Sequence, residues 1–179
     1  DDDTTVQVRP VPVCLLGSGA SCVRLTNAAS LAAGRWYSCA LLADGHAKCW
    51  GRNEGVALGN GVPIADFMEP YRFEANPVDV CAAGSTDTGN CSPLSEIVAL
   101  AAGLEHACAL NKTGNVLCWG DNIVGDGVTN FAANPTAVCE SGSGSLCPRL
   151  SGIAAITAGF YASCALKVSG EAFCWGYGS

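Results

Sequence analysis

Twelve cysteines give this 179-residue chain its largest store of chemistry, because thiolates bind metals, carry electrons or close disulfides. They fall into six local pairs: Cys14 with Cys22, Cys39 with Cys49, Cys81 with Cys91, Cys108 with Cys118, Cys139 with Cys147, and Cys164 with Cys174. Structural zinc uses C-x₂₋₄-C pairs with four converging ligands, whereas these pairs enclose seven or nine residues and the chain has two histidines. No C-x-x-C-H is present for haem attachment. The spacing therefore predicts six local disulfides, no metal and no cofactor, in a protein of an oxidising, extracytoplasmic compartment.

Other reactive types stand without companions. His106 and His46 have no G-x-S-x-G, H-E-x-x-H or Walker phosphate loop to serve, so no enzyme is expected and His106 reads as a strand packing residue. Asp1, Asp2, Asp3, Asp121 and Asp126 raise calcium, but GDNIVGDG lacks the closing acidic ligand of a calcium loop, and the first three read as a solvated tail. Asn90 and Asn111 lie in N-x-S/T sequons, open to glycosylation in a host that performs it. Composition narrows the classes further. A 49% hydrophobic, 14% charged chain can build a core. A net charge of -7 with nine scattered Lys and Arg excludes a phosphate backbone as partner, and no apolar run reaches the roughly 20 residues of a membrane span. The opening DDDTT has no basic or apolar leader, so any signal peptide is either already removed or lies outside this sequence.

The elements that must place the sulfurs are hairpins. In CALLADGHAKCWG, residues 39–51, the turn Ala43, Asp44, Gly45 sets Leu41 opposite Ala47 and Cys39 opposite Cys49. CALNKTGNVLCWG and CALKVSGEAFCWG repeat the design at 108–120 and 164–176. A close, non-hydrogen-bonded cross-strand pair suits such a bridge, and each short loop closed is worth roughly 2–3 kcal/mol by chain entropy. Trp50, Trp119 and Trp175 recur beside the second cysteine, as core residues whose indole N–H is expected on a backbone carbonyl.

The repeat extends well beyond the hairpin. Cys22, Cys91 and Cys147 each precede the next hairpin cysteine by 17 residues, and Pro10, Pro77 and Pro135 each precede Cys14, Cys81 and Cys139 by four. Reading P-x-x-V-C…C-x-x-L…AG-x-x-x-x-C-A-L…G…C-W-G divides the chain into 1–25, the tail half of a repeat; 26–94, repeat 1; 95–150, repeat 2; and 151–179, the head half of repeat 3. Cys39 to Cys108 is 69 positions but Cys108 to Cys164 only 56, so repeat 1 carries an insertion near 62–75. Its Phe67, Met68, Tyr71 and Phe73 form a candidate binding loop for a protein or a glycan.

At these residues the chain resembles the regulator of chromosome condensation repeat family, with its AG-x-x-H-x-x-AL segment, turn, WG and G-x-LG-x-G loop. His106, Ala109, Leu110, Trp119, Gly120 and the ALGNG of 57–61 occupy the motif positions. The cysteine-decorated form is similar to the secreted bacterial branch of that family. The resemblance implies an all-β protein of tandem four-stranded antiparallel blades of the propeller type, commonly seven in a closed ring. Tyr37 and Ala162 depart from the histidine, and GDG shortens the loop of repeat 2. No catalytic loop matches that of the family's nuclear exchange factor, so that activity does not carry over.

Three repeats cut mid-blade predict a ring not closed within one chain. A tail fragment at one end and a head fragment at the other fit head-to-tail self-association, the apolar Val6, Val8, Val11 and Val13 completing a neighbour's blade. The sequence thus points to a secreted structural protein that assembles into an extracellular filament or ring, with itself as partner. The alternative is an extracellular protein- or glycan-binding propeller module.

Overall fold

The computed structural model describes residues 9–63, 72–83, 85, 91–121, 124–128 and 131–178. The protein is all-β: among the described residues the only helical pieces are two single 3-10 turns, Gly19–Ser21 and Glu54–Val56. None is a helix long and apolar enough to cross a membrane.

A small ribbon opens the chain, β1 (Cys14–Leu16) with β2 (Val23–Arg24). Blade 1 holds β3 (Ala28–Ala33), β4 (Tyr37–Leu42), β5 (Ala47–Arg52) and β6 (Phe73–Asp79), each antiparallel to the next. Blade 2 repeats this with β7 (Ile97–Ala102), β8 (His106–Asn111), β9 (Val116–Gly120) and β10 (Ala132–Ala137). Among the described residues blade 3 has three strands, β11 (Ile153–Ala158), β12 (Ala162–Lys167) and β13 (Ala172–Gly176). The ring is open.

Local sequence chemistry explains the hairpins. The Gly45 amide donates to the Leu42 carbonyl and the Leu42 amide to His46, closing the turn and setting Leu41 opposite Ala47 and Cys39 opposite Cys49. Cys108 faces Cys118 and Cys164 faces Cys174 by the same register. All three pairs have Cα atoms 4.1 Å apart, the close spacing of a non-hydrogen-bonded pair. The glycine of each CWG is dictated by backbone proximity. Gly51, Gly120 and Gly176 sit at φ 107°, 111° and 113°, where an added Cβ would stand 2.6, 2.4 and 2.3 Å from the carbonyl oxygens of Trp36, Glu105 and Tyr161.

The core lies between blades rather than within them. One cluster joins Tyr37, Cys39, Leu41 and Cys49 of blade 1 to Ile97, Ala107 and Trp119 of blade 2. A second joins Cys108, Leu110 and Cys118 of blade 2 to Ile153, Ala165, Phe173 and Trp175 of blade 3. Strand alternation produces this: along β4 and β8 the cysteine-bearing face looks forward to the next blade, and the intervening residues look back. The hairpin disulfides are therefore inter-blade packing groups as well as staples.

Candidate interaction site

Among the described residues two surfaces carry no neighbour, the outer side of β13 along Ala172–Trp175 and the forward face of blade 3. The edge is best understood from how the other blades finish. In blade 1, β6 pairs Val78 with Cys49 and Asp79 with Lys48; in blade 2, β10 pairs Thr136 with Cys118 and Ala137 with Leu117. The next residue, valine in both, closes the blade. Val80 donates its amide to the Ala47 carbonyl at 3.0 Å and Val138 to Val116 at 3.1 Å. Their own carbonyls accept from Leu94 at 2.7 Å and Leu150 at 2.8 Å, and both valines are buried.

Val13 stands at the same place in the motif, and half of that arrangement is present. Its carbonyl accepts from the Leu25 amide at 2.8 Å. The ribbon that follows it lies beside blade 1, where Asn76 Nδ2 donates to the carbonyls of Cys14 (2.9 Å) and Gly17 (3.2 Å). Asn134 of blade 2 reaches Ser85 in the preceding cysteine loop in the same way, at 2.6 Å. Residues 13–25 thus hold the position of a blade's closing segment next to blade 1. Arg9 to Val13 form no strand here: Val11 is exposed and Val13 half-buried. Register equivalence assigns Val11 to Cys174, Pro12 to Phe173 and the Val13 amide to the Ala172 carbonyl.

Among the described residues nothing covers the forward face of blade 3. Leu41 and Leu110 are 6% and 4% exposed against the following blade, but their counterpart Leu166 is 44% exposed. At the other end of the array Leu31 is 70% exposed, whereas its counterparts Leu100 and Ile156 pack into the two inter-blade clusters.

The cysteines form six disulfides, Cys14–Cys22, Cys39–Cys49, Cys81–Cys91, Cys108–Cys118, Cys139–Cys147 and Cys164–Cys174, with none free. Repetition of one hairpin at 28–55, 97–126 and 153–179 is matched by the sequence model of the Regulator of chromosome condensation (RCC1) repeat over those three segments. The chain carries RCC1-like repeats. Its fold is similar to that of yeast RCC1 (Prp20) in the crystal structure with Kap60, at TM-score 0.61 and 21% identity over 86% of this chain and 33% of that one. Prp20p from Saccharomyces cerevisiae, described with its binding properties to Gsp1p and histones, aligns at 0.60 and 21% over 86% and 34%. Human WBSCR16 aligns at 0.61 and 17% over 88% and 35%. The chain spans about a third of the length of these propeller proteins.

Within the RCC1-like repeats, the third residue after the A-G pair links blade 1 to blade 2 and blade 2 to blade 3. Tyr37 of blade 1 donates its hydroxyl to the carbonyls of His106 and, at 3.4 Å, Gly103; burial raises its pKa. His106 of blade 2 places Nε2 2.8 Å from Ser163 Oγ of blade 3. Its Nδ1 is buried without a partner, which favours the lone pair there and the proton on Nε2, since an orphan N–H is the costlier of the two. Gly103 makes this possible: a Cβ there would lie 2.1 Å from His106 Cε1. Desolvation lowers the His106 pKa to about 4. A histidine and a serine at hydrogen-bond distance resemble part of a hydrolytic dyad, but both are buried in the inter-blade contact. Ala162 occupies the third such position and offers no link.

A charged cluster bridges the β3–β4 loop and the end of β5 in blade 1 to the β7–β8 loop of blade 2. Arg35 lies 3.7 Å from Glu105 and Arg52 3.6 Å from Glu54. The Glu105 pKa is raised by burial and by the neighbouring Glu54 and Asp121, against the opposing pull of Arg35 and Arg52. Among the described residues no group of three or more His, Cys, Asp or Glu is gathered for a metal. Of the candidate loop, Phe73 opens β6 opposite Arg52 with an exposed ring, and Phe67, Met68 and Tyr71 lie outside the described residues, as do Val6, Val8 and Asn90. Asn111 Oδ1 accepts from the Thr113 amide and hydroxyl and from the Asn115 amide, holding the hairpin turn. Sequence reasoning missed Ser163, which lies 57 positions from His106. It also missed the exposed leucines; their only signal is apolarity at repeat positions where a neighbouring blade is needed to cover them.

Proposed function

We propose that this chain is a non-catalytic interaction module of an oxidising, extracytoplasmic compartment that assembles head to tail, the segment around Val11 and Val13 of one copy pairing with β13 of another. The observation that carries the reading is the half-built closing motif: Val13 already accepts from Leu25 as Val80 does from Leu94, while among the described residues no strand lies outside Ala172–Trp175 as β6 lies outside β5 and β10 outside β9. Strand addition satisfies an open edge with main-chain bonds and lets alternate side chains fill pockets. Pro10 and Pro12 suit an outermost strand, where a missing amide costs nothing. Six disulfides fit such a compartment and make each short-stranded blade tolerant of it.

Light scattering on the intact chain across a concentration series tests this. Concentration-dependent growth in mass is expected, lost on deleting residues 1–13 and inhibited by a VQVRPVPV peptide. A stable monomer at high concentration, or normal assembly of the truncated chain, overturns it.

A second reading, a module that binds another protein or a glycan through the insertion, is favoured by the exposed Phe73 and by the yeast protein of similar fold seen bound to Kap60. It predicts a monomer whose ligand binding is lost on removing residues 64–72.

A further inference from the structure

The outer wall of blade 1 holds a cavity of about 310 Å³ whose polar lining the fold does not require. Asn60, Arg72, Glu74, Pro77, Val78 and Asp79 border it, and its volume stands at the small end of the roughly 300–1,000 Å³ of small-molecule sites. Both neighbours of this wall lie within the described residues. The β1–β2 ribbon rests beside β6 through Asn76, and the Gly61 amide donates to the Ala133 carbonyl of blade 2 at 3.1 Å.

Blade 2 shows what the architecture alone needs at the same places. Asp126 Oδ1 holds the Val128 amide at 2.9 Å, as Asn60 Oδ1 holds the Val62 amide at 3.3 Å. A carboxylate therefore suffices for this turn, and the amide nitrogen of Asn60 is additional to it. Asn60 is only 7% exposed; its Oδ1 also accepts from Asn53 Nδ2, while its own Nδ2 has no partner among the described residues. The strand differs in the same way. Glu74 faces Gly51 where blade 2 sets Ala132 opposite Gly120, and Asp79 faces Lys48 where blade 2 sets Ala137 opposite Leu117. Polar side chains thus gather around the blade 1 cavity at positions that an equally well-formed blade fills with alanine and leucine.

Their charges cancel. Arg72 Nε lies 3.0 Å from Glu74 and Lys48 Nζ 2.6 Å from Asp79, so an ionic ligand would enter without a counter-ion of its own. The lining instead offers donors beside acceptors: the Asn60 amide, the remaining N–H groups of Arg72 and the unshared lone pairs of the Glu74 and Asp79 carboxylates. Each hydroxyl of a sugar both donates and accepts, and its ring carries C–H faces suited to Pro77 and Val78. We infer that this cavity is a subsite for a neutral hexopyranose, its hydroxyls held by Asn60 Nδ2 and by the carboxylates of Glu74 and Asp79. The inference narrows the glycan branch of the second reading and rests on it, but it does not use residues 64–71 and is independent of head-to-tail pairing.

NMR titration of the intact chain with glucose, galactose, mannose, N-acetylglucosamine and N-acetylgalactosamine tests this, with glycerol as the control polyol. The side-chain amide signals of Asn60 should shift saturably with at least one sugar and not with glycerol at equal concentration. Three variants copy blade 2 and so introduce only residues that this fold already holds at those positions: Asn60→Asp, Glu74→Ala and the double K48L/D79A. Followed at the Val62 and Val78 amides, Asn60→Asp should weaken binding roughly threefold or more, and each loss of a carboxylate roughly tenfold or more. No saturable response to any of the five sugars, an equal response to glycerol, or unchanged affinity in the three variants overturns the subsite. If sugar binding survives those variants and disappears on deleting residues 64–71, the glycan reading stands and the cavity falls. If the intact chain binds none of the five sugars, both fall.

Discussion

His106 and Ser163, 57 positions apart, meet at 2.8 Å across the boundary between blades 2 and 3. The bond is buried, and the ring is held neutral because charging it there would strip an imidazolium of water.

Acid should therefore weaken the fold through His106. Its folded pKa, about 4, lies below the roughly 6.5 of an unfolded histidine, so between those values the unfolded chain binds the extra proton. The stabilisation is complete above about pH 6.5, falls by up to about 1.4 kcal/mol per unit below it, and levels off near pH 4. Denaturant midpoints of the natural chain and of His106→Gln, measured from pH 7 to 4, should differ in slope by this amount. Parallel slopes would show that the imidazole is not the acid-sensitive group.

Reduction should open the hairpin disulfides in the order of their burial. Cys39, Cys49, Cys108 and Cys118 are sealed between blades, whereas Cys174 is exposed and Cys164 half-exposed. Thiolate exchange needs access to sulfur, so brief reductant and alkylation should label Cys164 and Cys174 roughly tenfold faster. Assembly at high concentration should slow that labelling. Opening of Cys39–Cys49 first would contradict the packing.

Gly120→Ala should be among the most damaging single-methyl additions. The new Cβ would sit 2.4 Å from the Glu105 oxygen and 2.6 Å from His106 Cα at φ 111°, costing about 2–4 kcal/mol in strain and displacement. Gly142→Ala, at φ 73° with nothing within 4 Å, should cost only about 1 kcal/mol. Thermal unfolding of the two variants compares them directly; equal shifts would mean that the clash is relieved without loss.

Trp119→Phe should expose the value of one indole bond. Nε1 donates to the Ala57 carbonyl at 2.9 Å from a fully buried ring, tying the loop of blade 1 onto blade 2. Its loss should cost about 1–3 kcal/mol by chemical denaturation. Trp50→Phe, at a half-exposed ring, should cost less. Similar losses at both would argue against a role for the inter-blade bond.

What could be read from sequence was whatever contiguous residues decide. Turn chemistry at Ala43–Gly45 and the period of two fix which residues face each other, so the alignment of Cys39 with Cys49 and the blade-like hairpins followed from local pattern. The P-x-x-V-C spacing likewise marked residues 10–14 as kin to β6 and β10. Which face each hairpin buries was not legible, because both faces of a short alternating strand are apolar in this composition and only the neighbouring blade chooses between them. Tertiary structure made the cysteine face the forward one, carried His106 to Ser163 and sealed two disulfides while leaving the third open. It also left Leu31 and Leu166 exposed, since burial depends on what stands opposite a residue, and no described blade stands opposite those two.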